Sequence, residues 1–376
     1  MSALLTVALA TWLATASAAD ADALDEMVDL VEQRYAGRAA RADLYRAAMA
    51  GLASQLDQVT GSTGNALLSQ DEWNHARAWA QGDRHGIGIE FTLLPGRGLI
   101  ITDVFPGGPG ERSGLQPGDL VVGVEGMPFT GMALAQIHDA VVASAARPQV
   151  RMDVRRDSGL SRVLVKRDTY RMSSVRLVEG GARPCLRVGF FGRGAAEQLA
   201  KLLGDLDAPG VVLDLRDNEG GLIDEAVAAA DLFVEKGAVV VERVGFDGSA
   251  DPLRAERAVT WTGGVVVLAN RGTAGPAEAF VAALRDHGVA QVVGTATAGV
   301  GTLPDYQPLG DGLVLQLADT WMRSPSGLGW DGDGLVPDVR VEPVNNPALD
   351  GPGSLPPDLQ LAAAFRLVGG TGRGPD

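Results

Sequence analysis

The chain has 376 residues, 46% of them hydrophobic and 21% charged, which is enough to bury a sizeable core and to build two or three folded units. Its formal charge of -15 argues against a nucleic-acid partner, because phosphate binding needs a basic face. The single cysteine, Cys185, excludes an internal disulfide framework and a multi-cysteine metal centre, and none of the four histidines forms an HExxH pair, so no metal or cofactor is expected.

Residues 1–18 read as a secretory signal peptide: an uncharged apolar run ends in Ala16-Ser17-Ala18, and an acidic segment follows. Export to the periplasm or the outside follows, with no stable membrane span in the mature protein; left uncut, the same run becomes an N-terminal membrane anchor. Residues 19–82 form a helical prologue in this reading, with Leu24, Met27, Val28, Leu30 and Val31, then Leu44, Met49, Leu52 and Leu56, at helical spacing around a loop, QVTGSTGN. From 83 to 170, short apolar runs separated by Gly and Pro, with one helical stretch over 133–145, predict a small, mostly β module.

From 171 to 345 the pattern changes to buried strands alternating with helices: VVLDLR, a helix through LIDEAVAAADLFV, then GGVVVLAN, a helix through PAEAFVAALRDHG, then AQVVGT. That βαβ rhythm predicts an α/β layer with largely parallel strands, closed by strands and turns through SPSGLGWDGDGLVPDV. Residues 346–376 add a short helix, PPDLQLAAAFRLV, and a disordered tail. The fold class is thus a multidomain α/β protein.

The module over 83–170 resembles a PDZ domain of the bacterial protease-associated type. The likeness rests on Gly86-Ile87-Gly88-Ile89, on the turn Ser113-Gly114-Leu115-Gln116-Pro117-Gly118-Asp119, and on the LVVGVEG strand after it. It implies that backbone N–H groups of residues 86–89 receive the terminal carboxylate of a peptide while an exposed strand edge pairs with the extended tail. The expected partners are therefore the C-terminal tails of peptides or proteins.

The whole chain after the leader resembles the carboxyl-terminal processing peptidases, or tail-specific proteases, of the S41 serine peptidase class. Five runs carry this, in order: VVLDLRDNEGGLIDEAVAAADLFV, LANRGTAGPAEAF, LRDHG, VVGTATAGVGT and SPSGLGWDGDGLVPDV. In that family a serine hydroxyl attacks the peptide carbonyl, a lysine kept neutral by burial takes its proton, a glutamine holds the lysine, and backbone N–H groups stabilise the oxyanion. With Gly272 and Glu278 fixing the register, the nucleophile position falls on Gly275, the base 25 residues on falls on Val300, and the glutamine falls on Pro304. One oxyanion N–H belongs to the next residue, here Pro276, which has none to donate; the other comes from the Gly220-Gly221 turn, which is kept.

No intact catalytic set is therefore expected. The nearest substitute hydroxyl is Thr273, read as a turn or cap group, and the three lysines, Lys166, Lys201 and Lys236, all lie outside the segment that supplies the base. Asp214, Arg216 and Glu278 are read as residues that hold the core together. The resemblance and the lost residues together point to an exported pseudopeptidase that binds C-terminal tails. Two alternatives stand beside it: an active serine-type endopeptidase using Thr273 or a serine of SPSG, and a non-catalytic regulatory or scaffold subunit of an active protease paralogue.

Overall fold

Two apolar runs, 210–214 and 264–269, are buried at every residue, as strands inside a sheet covered on both faces must be. The computed structural model describes residues 22–35, 37–60, 64–94, 97–145, 147–172, 174–178, 183–343 and 358–368; the signal peptide and the C-terminal tail expected above lie outside them. Two compact units divide the chain: residues up to Ser69 with Tyr306–Leu317, and Gln70–Asp305 with the residues from Ala318 onward.

The first unit holds helices α1 (22–34) and α2 (Arg41–Thr60) and strand β1 (Ala66–Ser69). Arg41 joins the helices through Asp29 and Glu32, and Tyr45 bonds Asp25. Strand β1 pairs antiparallel with residues 313–316. The sequence reading, helical through residue 82, missed this strand: Ala66-Leu67-Leu68-Ser69 is too short to show a period of two, and its partner lies far along the chain.

In the second unit, helix α3 (Gln70–Ala80) leads into β2 (Asp83–Gly86), β3 (Ile89–Leu94), β4 (Gly98–Val104), α4 (Pro109–Arg112), β5 (Leu120–Val124), β6 (Met127–Pro128), α5 (Leu134–Ala145), β7 (Gln149–Arg156), β8 (Gly159–Lys166) and β9 (Asp168–Arg171). Strands pair in the order β3-β4-β5-β7-β8, with β6 on β5, while β2 and β9 form a separate ribbon. Strand β7 shows why: Val150, Met152 and Val154 are buried while Gln149 and Arg151 face out, so alternate residues meet Leu99, Ile101, Val121, Phe129 and Ile137 in one core.

The chain continues through β10 (Val175–Val178), β11 (Cys185–Val188), α6 (Ala195–Gly204), β12 (Gly210–Asp214), α7 (Ile223–Ala230), β13 (Val239–Gly245), β14 (Ala250–Arg254), β15 (Gly264–Ala269), α8 (Pro276–Asp286), β16 (Ala290–Gly294), β17 (Thr302–Pro308), β18 (Leu313–Arg323), β19 (Val339–Arg340) and α9 (Leu359–Leu367). A six-stranded sheet runs β10-β11-β12-β15-β16-β19, parallel throughout except for β10 against β11. Val211, Leu213, Val265 and Val267 face α6, α7 and α8; Val212, Val266, Leu268 and Cys185 face the other way, toward Ala364 and Val368 at α9. Strand β13 pairs with β14 and with residues 320–323 of β18. Helix α7 stops short of the predicted LFV because the chain turns at Asp231, whose buried carboxylate accepts from the Arg257 N–H. Among the described residues no helix is long and apolar enough to cross a membrane.

Candidate functional site

The C-terminal ends of β12 and β15 place two turns side by side. After β12 the chain runs through Asp217, with φ +56°, to Gly220 and Gly221; after β15 it runs through Asn270 and Thr273 to Gly275, which caps α8. Asn270 locks the two turns together, accepting from the N–H groups of Asp217 and Gly272 and donating to the Asp217 carboxylate, each at 2.9 Å.

Gly275 has φ +56° and ψ -123°, a conformation that an L side chain rarely adopts, and it forms the sharp strand-to-helix corner where a nucleophile can stand clear of its neighbours. A Cβ added there would lie 3.9 Å from Val300 Cγ1, so positions 275 and 300 face each other across van der Waals distance. One is buried and carries no side chain; the other is a half-buried hydrocarbon. Pro276 opens α8 at its first turn, where its fixed φ suits the helix and its missing N–H costs nothing. Its ring packs on Gly220, where a Cβ would come within 2.8 Å of Pro276 Cδ. The Gly220 N–H is already spent on Asn218 Oδ1 at 2.9 Å. Pro304 is exposed in β17.

Glu278 ties this corner to the loop bearing Val300. It is fully buried and accepts from the N–H groups of Gly275 at 2.9 Å and of Gly299 and Val300 at 2.8 Å, and from the Thr297 hydroxyl. Thr273 is equally buried: its hydroxyl donates to the Leu215 carbonyl at 2.8 Å and accepts from the Asn270 N–H at 3.1 Å, so it is fully engaged in holding the turn. The SPSG serines bond to each other, Ser324 to Ser326 at 2.9 Å, beside Asp286. That is the far end of α8, about 15 Å from Gly275 at 1.5 Å per residue. Lys166, Lys201 and Lys236 are all exposed, away from the burial that a neutral amine needs. His287 at the end of α8 contacts the Val239 carbonyl at 2.7 Å.

Behind the corner, Asp214 is nearly fully buried and takes a fork from Arg216, at 2.9 and 2.7 Å, with Arg187 at 3.3 Å. Burial alone would raise its pKa, but the Arg216 hydrogen bonds and the two guanidinium charges outweigh that and hold the carboxyl below its ordinary value. Arg216 also grips Asp358, the cap of α9.

The predicted peptide loop is tighter than its four-residue motif suggested: Gly86 ends β2 and Ile89 begins β3, leaving Ile87 and Gly88 as the connection. Gly88 has φ +68°, and a Cβ there would press on Pro109 at 3.1 Å. Among the described residues the Ile87 and Gly88 N–H groups donate to no protein acceptor. Strand β3 pairs only with β4, so its other edge is open.

Beside that edge lies a feature that sequence reasoning did not find. A cleft of about 780 Å³ is walled by Ile89 to Thr92 on one side and by Trp79, Arg84, Arg187, Phe190 and Arg216 on the other. Gly275, Val300 and Pro304 are not on its wall. Its residues are scattered from position 79 to position 360, so only the fold assembles them.

Comparison with known proteins agrees with this architecture. Residues 185–341 match the model of peptidase family S41, and residues 100–156 match a PDZ domain. A CtpA-like serine protease of Staphylococcus aureus (strain bovine RF122 / ET3-1) is 27% identical over 333 residues, 86% of this chain and 65% of that protein. Its counterpart in strain COL is 29% identical over 308 residues, 80% of this chain and 60% of the other. The chain thus spans under two thirds of the length of these relatives. Among solved structures, a photosystem II D1 C-terminal processing protease superposes with a TM-score of 0.52 at 24% identity, covering 90% of this chain and 89% of that one. An S41 protease from Bacteroides fragilis gives 0.56 at 16% identity, covering 76% and 83%. With both domain models matched in the order in which the fold places them, the chain carries a PDZ domain followed by a peptidase family S41 domain and is homologous to the CtpA-like serine proteases.

Proposed function

We propose that this protein binds the C-terminal tails of peptides or proteins through its PDZ domain and does not cut them. The observation that carries this reading is the pairing of Gly275 with Val300: the two positions face each other within van der Waals reach, and neither side chain can give or take a proton. Pro276 has no N–H and the Gly220 N–H is engaged, which leaves the Gly221 N–H as the unspent donor among these three oxyanion-type positions. The Ile87 and Gly88 N–H groups are both unspent beside an open strand edge, which suits a terminal carboxylate followed by an extended chain.

The test sets the purified protein and a variant carrying Gly275→Ser, Pro276→Ala and Val300→Lys beside a fluorescent unstructured substrate ending in small apolar residues. The natural protein binds the tail saturably, loses affinity when the terminus is amidated, and releases no fragments. Cleavage that tracks the purity of the natural protein, or binding indifferent to amidation, overturns the reading. Export to the periplasm or outside belongs to the same proposal, and fractionation of the producing cells tests it.

A further inference from the structure

The cleft beside β3 has an unusual distribution of charge. Four arginines reach it, Arg84, Arg176, Arg187 and Arg216, but three are already paired: Arg216 with Asp214 and Asp358, Arg176 with Asp103 at 2.7 Å, and Arg187 with Asp214 at 3.3 Å. Arg84 is different. It is half-buried, with its guanidinium 4.2 Å from the Trp79 ring centroid and 4.7 Å from that of Phe190, and its hydrogen bonds go to the carbonyls of Trp79 and Asp83. Among the described residues no carboxylate lies within ion-pair distance of it. Burial pulls its pKa below the usual arginine value, as expected for a cation short of an anion. Arg187 adds a second, weaker cation: it is paired with Asp214 at 3.3 Å, and its side chain remains 19% exposed.

The acids at the same cleft limit what can enter. Asp217, Glu219 and Glu90 lie along its wall, with the Asp217 side chain 68% exposed, so a multiply charged anion such as a polyphosphate would meet repulsion. A single carboxylate on an otherwise neutral chain fits. The open edge of β3 supplies the route, because a strand added there passes Ile89 to Thr92, the four residues that wall the cleft. Alternate side chains of an added strand point to opposite sides, so one register of the tail faces Arg84.

We infer that the cleft receives one acidic side chain of a bound tail, upstream of its terminus, with Arg84 as the anchor and Arg187 as a second, weaker cation. The inference rests on the tail-binding reading and adds a substrate class to it: tails that carry an isolated Asp or Glu at a defined distance from their end. The terminal carboxylate itself goes to the Ile87 and Gly88 amides.

Fluorescence anisotropy with the full chain tests this, using labelled neutral peptides that end in Ala-Ala and carry one Glu, or one Gln, at each upstream position in turn. At one position Glu binds about tenfold more tightly than Gln, the scale of one charge-assisted hydrogen bond. That ratio falls to about one in Arg84→Gln and is partly kept in Arg84→Lys. Because the ratio is read within each protein sample, partial misfolding of a variant does not change it, and Arg187→Gln gives an independent, smaller reduction. Glu and Gln peptides that bind alike at every position overturn the inference, as does a ratio that survives Arg84→Gln. If dependence on Arg84 vanishes instead on amidating the terminus, the cleft holds the terminal carboxylate and the side-chain assignment is wrong. Failure of the natural protein to bind any tail removes the underlying reading as well.

Discussion

The corner at Gly275 and the cleft at Arg84 lie in the same compact unit and differ in how their polar groups are used. At the corner the polar groups have partners within the protein: Glu278 accepts three backbone N–H groups and a hydroxyl, Thr273 bonds twice, and Asn218 takes the Gly220 N–H. In the cleft, Arg84 has carbonyls and rings but, among the described residues, no carboxylate within ion-pair distance. A site that has satisfied most of its own donors has little left to offer a ligand, whereas a half-buried cation without a carboxylate partner is a group that a ligand can complete.

Removing Glu278 should have the largest effect. Glu278→Ala leaves three buried N–H groups and a hydroxyl without their acceptor and should cost about 4 kcal/mol or more, given about 1–3 kcal/mol per orphaned group with imperfect additivity. Urea unfolding measures it, and a loss below about 1 kcal/mol would mean that the corner is not the closed network described. Asp214→Asn comes next, at about 3 kcal/mol near neutral pH, because it strips a buried partner from Arg216. The pH dependence has a definite sign. Asp214 is depressed in the folded protein, so its contribution is present above the ordinary Asp value of 3.8 and is lost as pH falls through the lower folded value. Melts from pH 5 downward should therefore drop less steeply in Asp214→Asn than in the natural chain.

Gly275→Ala probes the backbone alone. The space in front of it is open, with only Val300 Cγ1 at 3.9 Å, so the expected cost of about 1–3 kcal/mol comes from φ +56° and not from collision. An unchanged melting temperature would show that the corner relaxes and is not held. Smallest should be Arg84→Gln, at about 0.5–1 kcal/mol for the lost ring contacts, with its main effect on ligand binding. If that variant proved as destabilising as Glu278→Ala, Arg84 would be a structural residue and the contrast between the two regions would collapse.

Much of the fold was legible because the strands announce themselves. Val211 to Leu213 and Val265 to Leu268 are continuous apolar runs set off by glycine, and β7 alternates cleanly. The register that paired Gly275 with Val300 came from the family resemblance, with Gly272 and Glu278 as its fixed points. Strand β1 was missed because four residues carry no readable period and their partner lies more than 200 residues away. The Arg84 cleft was invisible for a related reason: an arginine between Trp79 and Phe190 is a tertiary arrangement, and nothing in the local sequence marks Arg84 as short of an anion.

Cys185 offers a use of its own. The only thiol in the chain is 2% exposed on the sheet face toward α9, and burial pushes its pKa up to about 12. While that face stays covered, the sulfur is protonated, hidden and slow toward alkylating reagents. Its labelling rate is therefore a clock for the opening of that layer, and a clock that needs no engineered probe. Timed with and without a bound tail, it would reveal whether events at β3 are felt in the layer that α9 covers.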